Sequence, residues 1–311
     1  MSNIKFIDLF AGIGGFHIAF HNVGAECVFS SEIDKFARKT YEANMKKISP
    51  KIFENDMFAG DILNVNPKEI PDFDIVCAGF PCQPFSQIGY KKGFQDEKYN
   101  RGNMFFEIVK IIKEKKPKAF FLENVRNLAK HEDGKTFQII KETLESLGYS
   151  FHCKLVRASD YGLPQHRPRL FMIGFRSETT QNSKFKFPEK TPLKYTLSDI
   201  FNGKCERDIG FTLRVGGRGS KINDRRNWEF YRVDGEVKRL RVKEGKMMQG
   251  FPKDFEFPVS EVQAMKQLGN SVAIFAIQAV AKNVIMYLNN ENLIDKDTLF
   301  DLEYLGRVAN G

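Results

Sequence analysis

Over residues 1–176 short apolar runs alternate with amphipathic stretches, and no other feature restricts the fold as much. KFIDLF, AECVFSSEID, DFDIVCAGF and KAFFLENV read as strands. The patterns between and after them read as helices: FHIAFHNVG, stopped by Gly24, then KFARKTYEANMKK, then residues 103–116 with Met104, Phe105, Ile108, Ile111 and Ile112 on one face, then GKTFQIIKETLESLGY. Two further strands, YSFHCKLVRA and RLFMIGFR, close the series. Alternation of this kind predicts an α/β fold, a Rossmann-like and mostly parallel sheet with helices on both faces. Open sheets of that kind bind ligands at the carboxyl ends of their strands, so the loops there are where chemistry is sought.

The pattern breaks near residue 185. Residues 186–258 carry glycine-rich turns and no long amphipathic helix, which predicts a small irregular β-rich unit. Apolar periodicity returns at VSEVQAMKQLG and at SVAIFAIQAVAKNVIMYL, a buried helix expected to pack back on the first unit. The expected organisation is therefore one unit of residues 1–185 and 259–311, with 186–258 inserted. Charge follows the same division. The chain carries +9, and from Lys186 to Gly250 there are 16 Lys and Arg against 9 Asp and Glu. In RVGGRGSKINDRRNWEFYR the basic residues are interleaved with Gly, Asn and aromatics, a mixture that suits a surface lying on phosphates and reaching base edges. Arg214, Arg218, Arg225 and Arg226 are the candidates, for base or for phosphate. The five Cys are odd in number and form no CxxC, which argues against a disulfide framework or a metal site and for a reducing, cytoplasmic setting. An Asp inside the apolar stretch of MSNIKFIDLF argues against a signal peptide, and no run approaches the ~18 apolar residues of a membrane helix.

Three strand-end loops hold the chemistry. Asp8-Leu9-Phe10-Ala11-Gly12-Ile13-Gly14-Gly15 follows a strand and opens a helix, so a ligand can approach the backbone and the helix N-terminus. Its third glycine falls at Gly15, which departs from GxGxxG and disfavours a dinucleotide pyrophosphate. Glu32 ends the second strand 20 residues after Gly12, where an acid meets ribose hydroxyls in such folds. Asp61 and Ile62 are placed to contact an adenine, and Phe10 either packs on a purine or sulfonium or fills the core. In Gly79-Phe80-Pro81-Cys82-Gln83-Pro84-Phe85-Ser86 a thiol sits between two prolines at a strand end, whereas a structural Cys sits more naturally inside the strand, as Cys77 does. The polar, glycine-containing stretch from Gln87 to Arg101 has the composition of a mobile lid. Glu123-Asn124-Val125 ends a further strand, and Gln165-His166-Arg167-Pro168-Arg169 precedes the last. A Glu, a thiol and two Arg at neighbouring strand ends form a coherent polar cluster.

These residues together resemble the cytosine-5 DNA methyltransferase family over nearly the whole chain. DLFAGIGGF resembles its S-adenosylmethionine motif, GFPCQPFS its catalytic motif, ENV its glutamate motif and QHRPR its Q-x-R-x-R motif. RLRVKEGKMMQGFP is similar to the block closing the target-recognition region, and QLGNSVAI to the final motif, which returns to the cofactor site. Gly245 and Lys246 depart from the family pattern, and Lys186–Arg239 matches no motif, as expected of a segment encoding specificity. The resemblance implies a catalytic set of Cys82, Glu123, Arg167 and Arg169. It implies a site for S-adenosylmethionine made of Asp8, Phe10, Gly12, Ile13, Gly14, Gly15, Glu32, Ile33, Asp61, Ile62, Pro81, Asn270 and Ser271. Contacts to double-stranded DNA are implied from Gln83, Ser86 and Arg101 besides the four arginines above. It further implies an enzyme that is monomeric on DNA, needs no membrane, and is paired with a restriction endonuclease.

The expected chemistry follows from the substrate. Cytosine C5 is a poor nucleophile until a thiolate adds to C6, which is covalent catalysis. An ordinary Cys of pKa ~8.5 is only a few per cent thiolate at neutral pH, so Cys82 needs activation, for which Arg167 is a candidate. Glu123 would stabilise the density pushed to N3, and Arg169 would hold the base or the carboxylate. The reacting carbons lie inside a duplex, so the nucleotide must be flipped out. Three competing readings remain: methyl transfer to tRNA by the same motifs, a nicotinamide oxidoreductase, which predicts the missing GxGxxG, and a non-catalytic DNA-binding protein, which leaves Cys82, Glu123, Arg167 and Arg169 without a purpose.

Overall fold

The computed structural model describes residues 4–81, 104–179, 184–216 and 219–289. Its frame is a seven-stranded sheet: β1 Lys5–Leu9, β2 Glu26–Ser31, β3 Phe58–Ala59, β4 Ile75–Gly79, β5 Ala119–Val125, β6 His152–Val156 and β7 Arg169–Phe175, in the order β3-β2-β1-β4-β5-β7-β6. The first five strands are parallel; β7 lies antiparallel between β5 and β6. The α/β reading therefore holds. What the alternation did not foretell is that the last strand inserts between two earlier ones.

The near-continuous apolar character of the central strands follows from burial on both faces. Alternate residues feed two cores. Phe6, Ile75, Cys77 and Phe121 face one, while Ile7, Leu9, Val76, Ala78, Phe120 and Leu122 face the other. Helices α3 (Met104–Lys115) and α4 (Lys135–Ser146) cover the second face, with Phe105, Ile108, Ile112, Ile140 and Leu144 fully buried. The first face is covered by α1 (Gly15–His21), α2 (Lys35–Met45) and the last helix, α8 (Ile274–Leu288). As expected, α8 packs back on α1. With α7 (Glu261–Asn270) it makes the one described stretch whose length and hydropathy suffice to cross a membrane. It is not an unbroken apolar run, because Ser271, Gln278, Lys282 and Asn283 interrupt it. The pair is also broken at Ser271–Ala273, and 61% of its apolar window is buried in this core.

Residues 186–258 are mainly loops, with a hairpin of β8 (Phe230–Val233) and β9 (Glu236–Arg239) and two short helices, α5 (Leu197–Phe201) and α6 (Val242–Gln249). The sequence pattern missed α6 because it is only eight residues long and carries a glycine. Glu244 caps it by accepting the Arg241 N–H at 2.9 Å, and Gly250, at φ 79°, ends it. The departures from the family pattern have a physical reason here. A Cβ at Gly245 would lie 3.1 Å from Leu268 of α7, so glycine lets the two helices approach. Lys246 donates to the carbonyl oxygens of Lys253 and Phe255, tying down the turn after α6. Leu197, Trp228, Tyr231, Met248, Phe251 and Phe255 continue the first-face core without a break.

Candidate active site

In the order β2-β1-β4-β5 the connections leave β1 and β4 in opposite directions, and a crevice opens where these carboxyl ends diverge. A cleft of about 510 Å³ occupies that place. Phe10, Gly12, Ile13, Glu32, Ile33, Asp61, Ile62, Pro81, Asn270 and Ser271 line it, all expected from the sequence, together with Glu123 and Arg169.

The β1 loop is bent into shape. Phe10 has φ 56°, a left-handed conformation that costs a non-glycine residue, and its side chain reaches the cleft. Gly12, at φ 57°, has open space where a Cβ would stand, and its N–H donates to Glu32 Oε2 at 2.8 Å. The other Glu32 oxygen accepts the Asp34 N–H at 2.7 Å. Burial raises the Glu32 pKa, while these two donors oppose the rise. Ile33 is 68% exposed and Leu63 47%, so two apolar side chains stand open at the cleft.

Three residues expected in the cofactor site lie behind its wall. Asp8 is fully buried, and its carboxyl accepts the His17 N–H at 3.2 Å, bracing the first turn of α1 from below. Burial pushes its pKa well up. A Cβ at Gly14 would lie 2.9 Å from Met45 Sδ, and one at Gly15 would lie 2.6 Å from Val272 Cγ2. These glycines serve the close packing of the loop on α2 and on the link to α8. The contiguous motif does not tell which of its residues face outward.

The far wall carries a buried carboxyl–guanidinium pair, Glu123 and Arg169. Glu123 pairs with Gly79 across β4–β5, and Arg169 with Val125 across β5–β7, which brings Arg169 Nε to 2.9 Å from Glu123 Oε1. Glu123 is 7% exposed. Burial lifts its pKa above the usual carboxylate range by more than Arg169 and Arg167 draw it down. Asn124 donates to the Phe80 carbonyl at 2.9 Å and so fixes the chain as it enters Pro81.

Arg167 differs from Arg169. It is 2% exposed and donates to three main-chain carbonyls: Leu213 at 3.2 Å, Gly269 at 3.0 Å, and Ser271. Its φ of 22° is another strained backbone. Neighbouring Gln165, the first residue of the QHRPR motif, is fully buried; it accepts the Leu213 N–H at 3.0 Å and donates to the Met248 carbonyl at 3.0 Å. Gln249 donates to the Leu268 carbonyl at 2.6 Å. Sequence alone gave no sign of these links, because the partners lie far apart along the chain.

Of the expected DNA-contacting residues, Arg214, Arg225 and Arg226 are exposed. The backbone of Arg214 runs against Gly269, so its side chain starts beside the cleft. Arg226 is held by Asp224 through bonds of 2.8 and 3.1 Å. Cys82, Gln83, Ser86, Arg101 and Arg218, and the stretch from Gln87 to Arg101, lie outside the described residues. Among the described residues no group of three His, Cys, Asp or Glu is arranged to hold a metal ion.

The fold and this cleft define an α/β protein with a ligand crevice at its sheet switch point. The chain also matches known proteins over most of its length. The profile of the C-5 cytosine-specific DNA methylase family matches residues 4–214 and 209–286. Type II methyltransferase M.SsoII of Shigella sonnei is 42% identical over 92% of this chain and 81% of that protein. Type II methyltransferase M.HhaI of Haemophilus parahaemolyticus is 38% identical over 93% of this chain and 96% of that one. Among solved structures, a Spodoptera frugiperda DNMT2 variant superposes with a TM-score of 0.68 at 20% identity, covering 92% of this chain and 99% of that one. Methyltransferase EhMeth of Entamoeba histolytica gives 0.63 at 18% identity, covering 93% and 99%. These last two likenesses concern the fold alone. The chain belongs to the C-5 cytosine-specific DNA methylase family and is a DNA (cytosine-5)-methyltransferase.

Proposed function

We propose that the protein methylates C5 of a cytosine flipped out of a short, specific duplex sequence, with S-adenosylmethionine as donor and a covalent bond between Cys82 and C6 as the intermediate. The observation that carries the reading is a buried Glu123, its pKa raised, beside Arg169 at the strand end next to the one leading into Pro81 and Cys82. Carboxyl burial of this kind favours the protonated form, the form that can donate to a ring nitrogen.

The site fits the donor. Gly12 leaves room for close approach, Glu32 offers carboxylate oxygens to ribose hydroxyls, and Ile33 and Ile62 offer apolar surface to a purine. Asp61 accepts from an exocyclic amine, and Phe10, Pro81, Asn270 and Ser271 complete the walls. Asp8, Gly14 and Gly15 act from behind by holding the loop and α1. When bound, S-adenosylmethionine supplies an electrophilic methyl group.

The Cys82 thiolate adds to C6, forming a C–S bond, and the ring electrons move toward N3, where Glu123 donates its proton. Arg169 holds that carboxyl in place and stabilises the carboxylate left behind. C5 would then take the methyl group as the methyl–sulfur bond of the bound donor breaks, its electron pair staying on sulfur to leave a neutral thioether, and a base or water removes the C5 proton. The electron pair released expels the thiolate from C6, N3 returns its proton to Glu123, and the enzyme is restored. Arg167 adds positive charge to this corner while its three carbonyl bonds hold the site to the recognition segment.

Residues 186–258 form the target-recognition unit in this reading, inserted into a catalytic unit of 1–185 and 259–311. Arg214, Arg218, Arg225 and Arg226 contact DNA from it; Gln83, Ser86 and Arg101 do so from the catalytic side. The enzyme works as a monomer on DNA in the cytoplasm and protects sites from a paired restriction endonuclease. Duplex DNA bearing 5-fluorocytosine tests the chemistry, because C5 then has no proton to lose. A complex stable to denaturation is expected with the natural chain and none with Cys82→Ala. Absence of an adduct under conditions where the natural chain methylates ordinary DNA would refute the covalent route.

A further inference from the structure

A second cavity lies away from the cleft, within residues 186–258. It is a recess of about 160 Å³ whose lining includes Glu206, Arg207, Phe211, Asn223, Tyr231 and Arg232. Its floor is rigid. Tyr231 is 3% exposed; its hydroxyl donates to the Trp228 carbonyl at 3.1 Å and accepts the Phe211 N–H at 3.0 Å, and the rings of Phe211 and Tyr231 stack with centroids 5.8 Å apart. Asn227, also in the lining, commits its whole amide to the fold. Its nitrogen donates to the carbonyls of Ile222 and Phe230, and its oxygen accepts the N–H groups of Glu229 and Phe230. The rim is different. The Arg207 guanidinium lies over the Phe211 ring, 4.2 Å from its centroid, which holds its plane. Among the described residues neither that guanidinium nor the exposed Asn223 amide meets a hydrogen-bond partner. Arg232 has Glu206, the one acid in the lining, at 3.7 Å. Two cations and one acid leave the rim positive.

Shape decides what such a recess can take. Base edges lie at the bottom of a groove about 8.5 Å deep, so a side chain must project to reach them. A recess instead receives what projects from a duplex, and the phosphates do. A guanidinium held flat presents its fork to two oxygens of one such group. The place also fits. Gly210 donates to the Pro164 carbonyl at 2.9 Å and accepts the His166 N–H at 3.0 Å, which ties this segment to the QHRPR motif. The backbone of Arg214 runs against Gly269 at the cleft, and three residues from Phe211 to Arg214 span at most about 11 Å, roughly three base-pair steps. We propose that the recess is a phosphate site, in which Arg207 and Asn223 hold one backbone phosphate of the duplex a few nucleotides from the flipped cytosine. The proposal rests on the reading of 186–258 as the target-recognition unit. Arg207 then fixes the register of that unit on the duplex and carries no choice of base. None of Arg214, Arg225 and Arg226 lines the recess.

Binding of the full-length protein to two duplexes over a range of salt tests this, one carrying the sequence that bisulfite sequencing shows to be methylated and one lacking it. Arg207→Ala is expected to weaken both about 10-fold, the loss of one charge-assisted hydrogen bond. It should also make the slope of log affinity against log salt shallower by about 0.9, the share of one phosphate. Glu206→Gln removes the opposing charge and is expected to tighten both duplexes by about 2- to 5-fold, a gain that a merely structural role would not produce. A neutral methylphosphonate placed at each phosphate in turn should find one position that weakens the natural chain and adds nothing to Arg207→Ala. An unchanged salt slope in Arg207→Ala overturns the proposal. So does a loss confined to the methylated sequence, which would make Arg207 a reader of bases, and so does a scan in which every loss adds to that of Arg207→Ala. Both substituted side chains are exposed, so the variants keep the fold. Exchange of 186–239 that leaves the methylated sequence unchanged would instead remove the recognition reading, whatever the salt slope shows.

Discussion

The cleft and residues 186–258 are built by different means. The catalytic wall consists of strand ends: Gly79, Glu123 and Arg169 are brought together by register across β4, β5 and β7, residues far apart in sequence held by a sheet buried on both faces. Residues 186–258, proposed above to read the target, have almost no ladder. Its order comes from side chains bonding to nearby backbone. Trp228 donates to the Gly216 carbonyl at 3.0 Å, Asn227 donates to the Phe230 carbonyl at 2.9 Å, and buried Glu229 pairs with Arg239 at 2.9 Å. A sheet end tolerates little change, whereas a loop pinned at a few buried anchors can alter its exposed residues and keep its shape. On the function proposed above, the chemistry is set by register, and the choice of DNA sequence is left to exposed side chains between anchors.

Perturbing each side in turn tests the contrast. The largest effect is expected on the catalytic wall, where Cys82→Ala abolishes methyl transfer while DNA binding, measured by gel shift, persists. Glu123→Gln is expected to lower turnover by about 10²- to 10⁴-fold, the usual contribution of a positioned acid. The sign of the pH effect follows from the raised pKa. The active form carries the proton, so activity falls as pH rises through that raised value, and the glutamine variant loses this alkaline limb in a rate profile. On the other side, Trp228→Ala should cost about 3–5 kcal/mol of stability, read by denaturant unfolding, because it empties a fully buried site and frees the Gly216 carbonyl. Replacing 186–239 with the corresponding segment of a relative should redirect methylation, read by bisulfite sequencing, with donor affinity unchanged. A loss of donor binding there would show that the two sides are not separable. The smallest effects belong to single exposed arginines. Arg225→Ala is expected to weaken DNA binding more than Arg226→Ala, since Arg226 must give up Asp224 to reach DNA.

The legible parts of this molecule are those where one local pattern decides the outcome. Apolar runs marked every strand of the seven-stranded sheet but the two-residue β3, and the acids and the glycine loop at their ends marked the cleft. Position within a motif proved less informative. Asp8, Gly14 and Gly15 share a motif with Phe10 and Gly12 yet face the packing side, because the loop turns over at the left-handed Phe10 and Gly12. The links made by Gln165, Gln249 and Gln267 were illegible in the sequence. A buried glutamine acquires its meaning from the carbonyl, amide or hydroxyl it meets, and here those groups come from distant segments.

The three carbonyls around Arg167 carry a consequence for fidelity. One belongs to Leu213, next to Arg214 in the recognition segment, and two belong to Gly269 and Ser271, which line the cleft. A single rigid fork spans both, so a displacement of the chain at residue 213 is passed to the floor of the cleft. On the function proposed above, a wrong base pair pushing on that chain would be rejected twice, once in residence time on the duplex and again in the rate of each turnover.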